Sequence, residues 1–187
     1  MTRAAVSGAH YVGKSTLLDH LVLRNPGLQV IGNLMRDIAQ NGYGVGADTT
    51  PATLTVYLQR QMVQEDAVPK TMHLVSDRVF VDGLAYIMAA VQLGINGYNW
   101  SQEVLSLLES VARLHATRYD YHVYIPIEFP LSSGDPLHLH GLGFQRTVDQ
   151  CLRQLLGQDW PITVVEVTGS LEQRTTTVSN LLRKPHL

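Results

Sequence analysis

Short β-branched or apolar segments alternate with longer stretches in which apolar residues return every three or four positions, and this alternation runs the length of the chain. The short segments predict strands at Arg3–Ser7, Leu28–Gly32, Met72–Ser76, Tyr121–Ile127 and Ile162–Val167. Between them, Lys14–Arg24 reads as a helix stopped by Asn25-Pro26-Gly27, and Leu34–Gln40 as a shorter one. Pro51–Val68 is a longer helix, opened by Thr49, Thr50 and Pro51 and closed by Pro69. In that helix Leu54, Leu58 and Met62 predict the core-facing stripe, which leaves Gln59, Arg60, Gln64 and Glu65 to solvent or substrate. Further helices are expected over Val81–Val91, from Ser101 with Leu105, Leu108, Ala112 and His115 on one face, and around Phe144, Val148, Cys151 and Leu155 up to Gly157. Strands alternating with helices predict an α/β fold, a three-layer doubly wound architecture with a five-stranded parallel sheet.

At 187 residues, 45% of them apolar, the chain suits one domain, 1–187, better than two. Fourteen basic against sixteen acidic residues, formally −2, give no general attraction to a phosphate backbone, so nucleic acid is a possible partner that net charge does not favour. No uncharged apolar run reaches the roughly 18–20 residues of a bilayer span, and no basic segment with a long apolar core opens the chain. A lone cysteine, Cys151, forms no internal disulfide and falls on an apolar helix face. A soluble, cytoplasmic protein without a membrane partner is therefore expected. The glycine-bearing stretches 42–50 and 131–143 are the loops long enough to carry function.

The chemistry begins at Gly8-Ala9-His10-Tyr11-Val12-Gly13-Lys14-Ser15, with Thr16 following. Glycine, four residues, glycine, lysine and serine form the phosphate-binding loop pattern, placed between a predicted strand and a predicted helix as its mechanism requires. The glycines let successive N–H groups turn inward toward phosphate oxygens, and the helix N-terminus adds positive potential. Lys14 would neutralise the β- and γ-phosphates of ATP, and Ser15 would ligate Mg²⁺.

Asp77 and Arg78 end the third predicted strand, at the sheet edge where ligands of open α/β folds collect. Asp77 could anchor Mg²⁺ through water or take a proton from an attacking hydroxyl, and Arg78 could stabilise charge on the transferring group. The alternative for this pair is a surface ion pair or helix cap. Asp82 suits either a first-turn cap or a substrate contact. Arg36, after the second strand, either grips the acceptor or is simply solvated, and Glu128 is a rival for the metal-site acid. His138 and His140 lack a third nearby metal-ligand candidate and read as surface residues. The tyrosines 119, 121 and 124 read as packing.

Together these residues resemble the P-loop nucleoside and nucleotide kinases, in particular the compact nicotinamide-riboside kinase-like branch. The resemblance rests on Gly8–Thr16, Asn33-Leu34-Met35-Arg36, Ser76-Asp77-Arg78 followed by Asp82-Gly83-Leu84-Ala85-Tyr86, and Val167-Thr168-Gly169-Ser170 with Arg174. It implies ATP and Mg²⁺ as cofactors, with catalytic roles for Lys14, Asp77 and Arg78 and Mg²⁺ held by Ser15 and Asp77. It further implies Gly169 and Ser170 beside the adenine, Arg146 in a lid over 131–146, and Arg36, Asp82 and Tyr86 around a small-molecule phosphate acceptor. Two departures stand out: Asn33 occupies a position where relatives carry an acid, and no arginine follows closely on Gly134-Asp135. The expected activity is ATP-dependent phosphoryl transfer to a hydroxyl or phosphate of a nucleoside, nucleotide or similar molecule. The alternatives are a kinase of a modified base in DNA and a regulatory ATPase; the guanine motif Asn-Lys-X-Asp is absent.

Overall fold

A computed structural model describes residues 1–95, 97–129, 141–157 and 159–183. Five strands, β1 (Arg3–Ser7), β2 (Gln29–Ile31), β3 (Leu74–Asp77), β4 (Tyr121–Tyr124) and β5 (Thr163–Glu166), form one sheet in the order β2-β3-β1-β4-β5. Every neighbouring pair is parallel. The helices are α1 (Lys14–Arg24), α2 (Leu34–Gln40), α3 (Pro51–Ala67), α4 (Phe80–Gln92), α5 (Gln102–Ala116), α6 (Gly141–Gly157) and α7 (Leu171–Leu182), with a 3-10 turn at Gly46–Asp48. No described helix is long and apolar enough to cross a membrane.

The central strands β1 and β3 are buried almost end to end, as strands covered on both faces must be, whereas the edge strand β5 has no fully buried residue and is exposed at Thr163 and Glu166. The chain leaves β1 for the β2–β3 side and later returns to β4 on the other flank. The carboxyl end of β1 is therefore the point where the winding reverses, and a crevice opens there. The P-loop follows β1 directly and Asp77 is the last residue of β3, so topology alone brings them together.

The elements differ from the sequence reading most at two strands and one helix. The third strand is shifted to 74–77, in register with β1 through Val6 and Asp77. The fourth ends at Tyr124, where its pairing with Ser7 ends. The C-terminal helix α7 lies beyond the amphipathic pattern that had been read; its threonines and serine hide it, yet Ser170 and Gln173 form a capping box at its start.

The stripe expected on α3 is also corrected. Thr53, Leu54, Tyr57, Gln61 and Glu65 face inward, and Met62 is 37% exposed. Glu65 is wholly buried, where its carboxylate accepts from Arg118 and the Tyr119 hydroxyl and lies 3.0 Å from His115 Nε2. Burial pushes its pKa up, but these partners outweigh that and hold it at about 2.

Candidate active site

The loop after β1 is shaped by its glycines. Gly8 has φ +155°, and a Cβ there would lie 2.5 Å from the Ile125 carbonyl oxygen; Gly13 has φ +90°. Gly13 is also the N-cap of α1, and it offers no side chain to the first-turn amides. Helices α2, α3, α5 and α7 are capped by the side chains of Asn33, Thr50, Ser101 and Ser170, whereas at α4 Asp82 reaches back only to the amide of the N-cap residue Val79. The α1 N-terminus, where the glycine loop turns its amides inward, is thus left open to an external anion.

Lys14 is buried and folded back, with Nζ donating to the carbonyls of Gly8 (2.8 Å) and Ala9 (2.5 Å). Desolvation, aided by the nearby Arg78 charge, lowers its pKa to about 7. Ser15 and Thr16, by contrast, are exposed at the start of α1. His10 shares a hydrogen bond of 3.2 Å with the Tyr86 hydroxyl, its carbonyl accepts from Gln145 Nε2 of α6 at 2.6 Å, and Tyr11 sits at φ +63°.

Two buttresses hold this loop. Asp82, 1% exposed, accepts from the Ser7 hydroxyl (2.6 Å), the Val79 amide (3.0 Å), the Gly8 amide (3.4 Å) and Arg78 (3.4 Å). Arg78, at φ +69°, also reaches the Gly8 carbonyl and the Tyr86 hydroxyl, with its guanidinium 4.9 Å from the Tyr86 ring centre. On the opposite flank Arg174 of α7 donates to the Val12 carbonyl (2.8 Å), to the Gly169 carbonyl (2.9 Å) and to Glu128. Glu128 in turn accepts from the Gly169 amide.

Asp77 is situated differently. It is 5% exposed, yet its Oδ1 is buried without a hydrogen-bond partner. Burial raises its pKa, against the opposing charges of Lys14 and Arg78. It lines a cleft of about 360 Å³ together with Ser15, Asp19, Asn33, Arg36, Asp37 and Gln64, among others. Asn33 is occupied in capping α2, whereas Asp19, Arg36 and Asp37 make no side-chain hydrogen bond or ion pair among the described residues.

Ser15 and Asp77 suit Mg²⁺: an exposed hydroxyl and a carboxylate with an orphaned oxygen line the same cleft. The described residues hold no cluster of three or more Asp, Glu, His or Cys that could bind a metal. That accords with an ion drawing most of its ligands from phosphate oxygens and water.

The structure therefore joins Ser15, Asp77 and Arg36 at one cleft, with Lys14 behind the loop. Asp82 and Tyr86 do not line the cleft; they lie under the loop, bonded to Arg78. Glu128 is tied to Arg174 and Gly169, away from Asp77. Gly169 and Ser170 form the turn into α7. Arg146 is exposed on α6, and of the expected lid only 141–146, the start of that helix, lies within the described residues; His138 and His140 lie outside them. Gln64, expected to face solvent or substrate, does line the cleft, whereas Asp19 and Asp37 carry no role in the sequence reading. Asp19 stands one turn beyond Ser15 on the same face of α1, a spacing that could have flagged it.

The parallel order 2-3-1-4-5, with a P-loop leaving the central strand, defines a P-loop α/β protein of nucleoside and nucleotide kinase architecture. The AAA domain family model matches residues 3–174, and the chain belongs to that family. Among solved structures it is similar to thymidylate kinase from Candida albicans, with 18% identity, TM-score 0.67 and coverage of 97% of this chain and 90% of that one. It is also similar to deoxyadenosine kinase from M. mycoides, with 13% identity, TM-score 0.68 and coverage of 96% and 98%. A NadR protein solved in complex with NR matches 96% of this chain over 50% of its own, with 17% identity and TM-score 0.65. No curated protein sequence matches.

Proposed function

We propose that the protein is an ATP-dependent phosphotransferase acting on a hydroxyl or phosphate of a nucleoside, nucleotide or similar small molecule. One observation carries this reading: the open α1 N-terminus, Ser15 and Asp77, whose Oδ1 is buried without a partner, meet at a single cleft that also holds Arg36, which has no ion-pair partner among the described residues. The loop amides and Lys14 bind and orient the triphosphate; Lys14 exchanges its two carbonyl partners for phosphate oxygens. Bound Mg²⁺, held by Ser15 and by Asp77 directly or through water, would supply charge neutralisation at the phosphates. The Asp77 carboxylate accepts the proton of the attacking hydroxyl, and its raised pKa matches that task. Arg78 keeps the loop in shape from beneath and contributes positive potential. Arg36 orients the acceptor from the far wall. Phosphoryl transfer asks mainly for positioning and electrostatics, which these groups provide.

The test is release of ADP from ATP·Mg²⁺ with a panel of nucleosides, nucleoside monophosphates, nicotinamide riboside and modified DNA, run beside Lys14→Ala. Acceptor-dependent release that is lost in the variant supports the reading and identifies the acceptor class. ATP binding with no acceptor-dependent release would replace it with a regulatory ATPase.

A further inference from the structure

Behind the P-loop, a line of buried hydrogen bonds crosses three elements. Trp160, in the connection before β5, donates Nε1–H to His122 Nδ1 at 3.1 Å. His122 Nε2 meets the Ser7 hydroxyl at 2.7 Å, and that hydroxyl meets Asp82 Oδ2 at 2.6 Å. His122 and Ser7 are fully buried, and Asp82 nearly so.

Donor capacity fixes every proton along this line. The indole N–H donates only, so His122 Nδ1 accepts and its proton sits on Nε2. Nε2–H then donates to Ser7, whose single hydroxyl proton is left for the carboxylate. Burial keeps the ring neutral, with a pKa lowered to about 4. The residue types are those of a hydrolytic triad, but the order is different: the acid binds the serine and not the histidine, and Ser7 has no exposure. The line ends on the carboxylate that grips the Gly8 amide and Arg78. Its outer end is held by α5, where Arg113 lies 5.7 Å from the Trp160 ring centre and donates to the Asp159 carbonyl at 3.0 Å.

We propose that His122 is a positioning residue for the triphosphate site: through Ser7 it orients the Asp82 carboxylate, which sets the Gly8 amide and Arg78 in the geometry that receives phosphates. This rests on the nucleotide-binding role of the loop, and it adds a determinant on a different strand from any motif residue. Because the relay touches the donor side only, disturbing it should weaken ATP and leave the acceptor alone.

The experiment compares wild type with His122→Leu and His122→Gln. Glutamine can accept from Trp160 and donate to Ser7, and leucine can do neither. Two readouts are taken: amide hydrogen exchange over residues 7–13 in the nucleotide-free protein, and the dissociation constant for ATP·Mg²⁺ by calorimetry. Expected in the leucine variant are exchange about tenfold faster in that segment and ATP binding about tenfold weaker, both largely restored by glutamine. Should the leucine variant fail to fold, Trp160→Phe serves in its place, with a smaller effect in the same direction. Loop exchange unchanged in the leucine variant, or glutamine no better than leucine at equal melting temperature, overturns the relay. The exchange arm needs no nucleotide, so a wild type that fails to bind ATP would sink the phosphotransferase reading while the relay is still judged.

Discussion

The two walls of the crevice are built on opposite plans. On the donor side, polar groups are satisfied several times over: Asp82 has four donors, and Arg174 ties α7 to both Val12 and Glu128. In the cleft, Asp19, Arg36 and Asp37 make no side-chain hydrogen bond or ion pair among the described residues, and Asp77 keeps Oδ1 without a partner even though it is buried. A triphosphate is the same in every turnover and is best met by a preorganised cradle, whereas groups that must meet an incoming acceptor have to be left unpaired. Asp77 and Asp82 condense the contrast, since two buried aspartates five residues apart differ mainly in how many donors surround them. A buried carboxylate left without donors in the resting fold points to chemistry, and a fully satisfied one points to support.

The contrast can be broken most severely at Asp77. Asp77→Asn is expected to leave ATP binding near wild type and to lower turnover by about 10²–10⁴-fold, the usual range for loss of a general base. In wild type, turnover should fall as pH drops through a value above the ordinary aspartate pKa, because burial favours the protonated form. Steady-state rates from pH 4 to 8 with the identified acceptor check both statements, and weakened ATP binding in the variant would move Asp77 to the supporting class.

Lys14→Ala attacks the other wall. It removes a charge-assisted contact of about 2–3 kcal/mol, so ATP affinity should drop on the order of a hundredfold, as read by calorimetry. Arg36→Ala should sharpen the division: acceptor KM rises about tenfold, as for one lost hydrogen bond to a charged group, with ATP binding unchanged. An equal effect on ATP would place Arg36 on the donor side. The smallest effect is a proton count. Lys14 sits near pKa 7 in the empty loop and regains its charge against phosphate, so ATP binding at pH 8 should take up a fraction of a proton, and affinity should rise as pH falls from 8 toward 7. Calorimetry in buffers of differing ionisation enthalpy measures that uptake.

Much of this was legible in the chain. Alternating apolar segments predicted a parallel five-stranded α/β fold, and the glycine spacing at 8 and 13 placed the loop between β1 and α1. What escaped was the polar interior. Periodicity counts polar side chains as solvent-facing and leaves Glu65 outward, yet it is buried; so is Gln61, which bonds to Ser76 at 2.7 Å and Tyr119 at 3.1 Å. Tyr119, read as packing, is indeed buried, but its hydroxyl serves Glu65. His122 carries no motif at all, and only the pairing of β4 with β1 brings it beside Ser7. Local pattern reports which residues prefer water; it does not report which polar residues will find partners far along the chain.

The bond from Arg174 to the Val12 carbonyl spans 162 positions, and the Thr2 hydroxyl reaches the Leu182 carbonyl across 180. Such clasps close only once Arg174 and Leu182 have been made. During synthesis the first forty residues emerge carrying a complete phosphate-binding motif that still lacks its brace from α7. A nascent chain stopped before Leu171 is therefore expected to hold nucleotide poorly, and the ability to bind it should arrive abruptly as α7 leaves the ribosome.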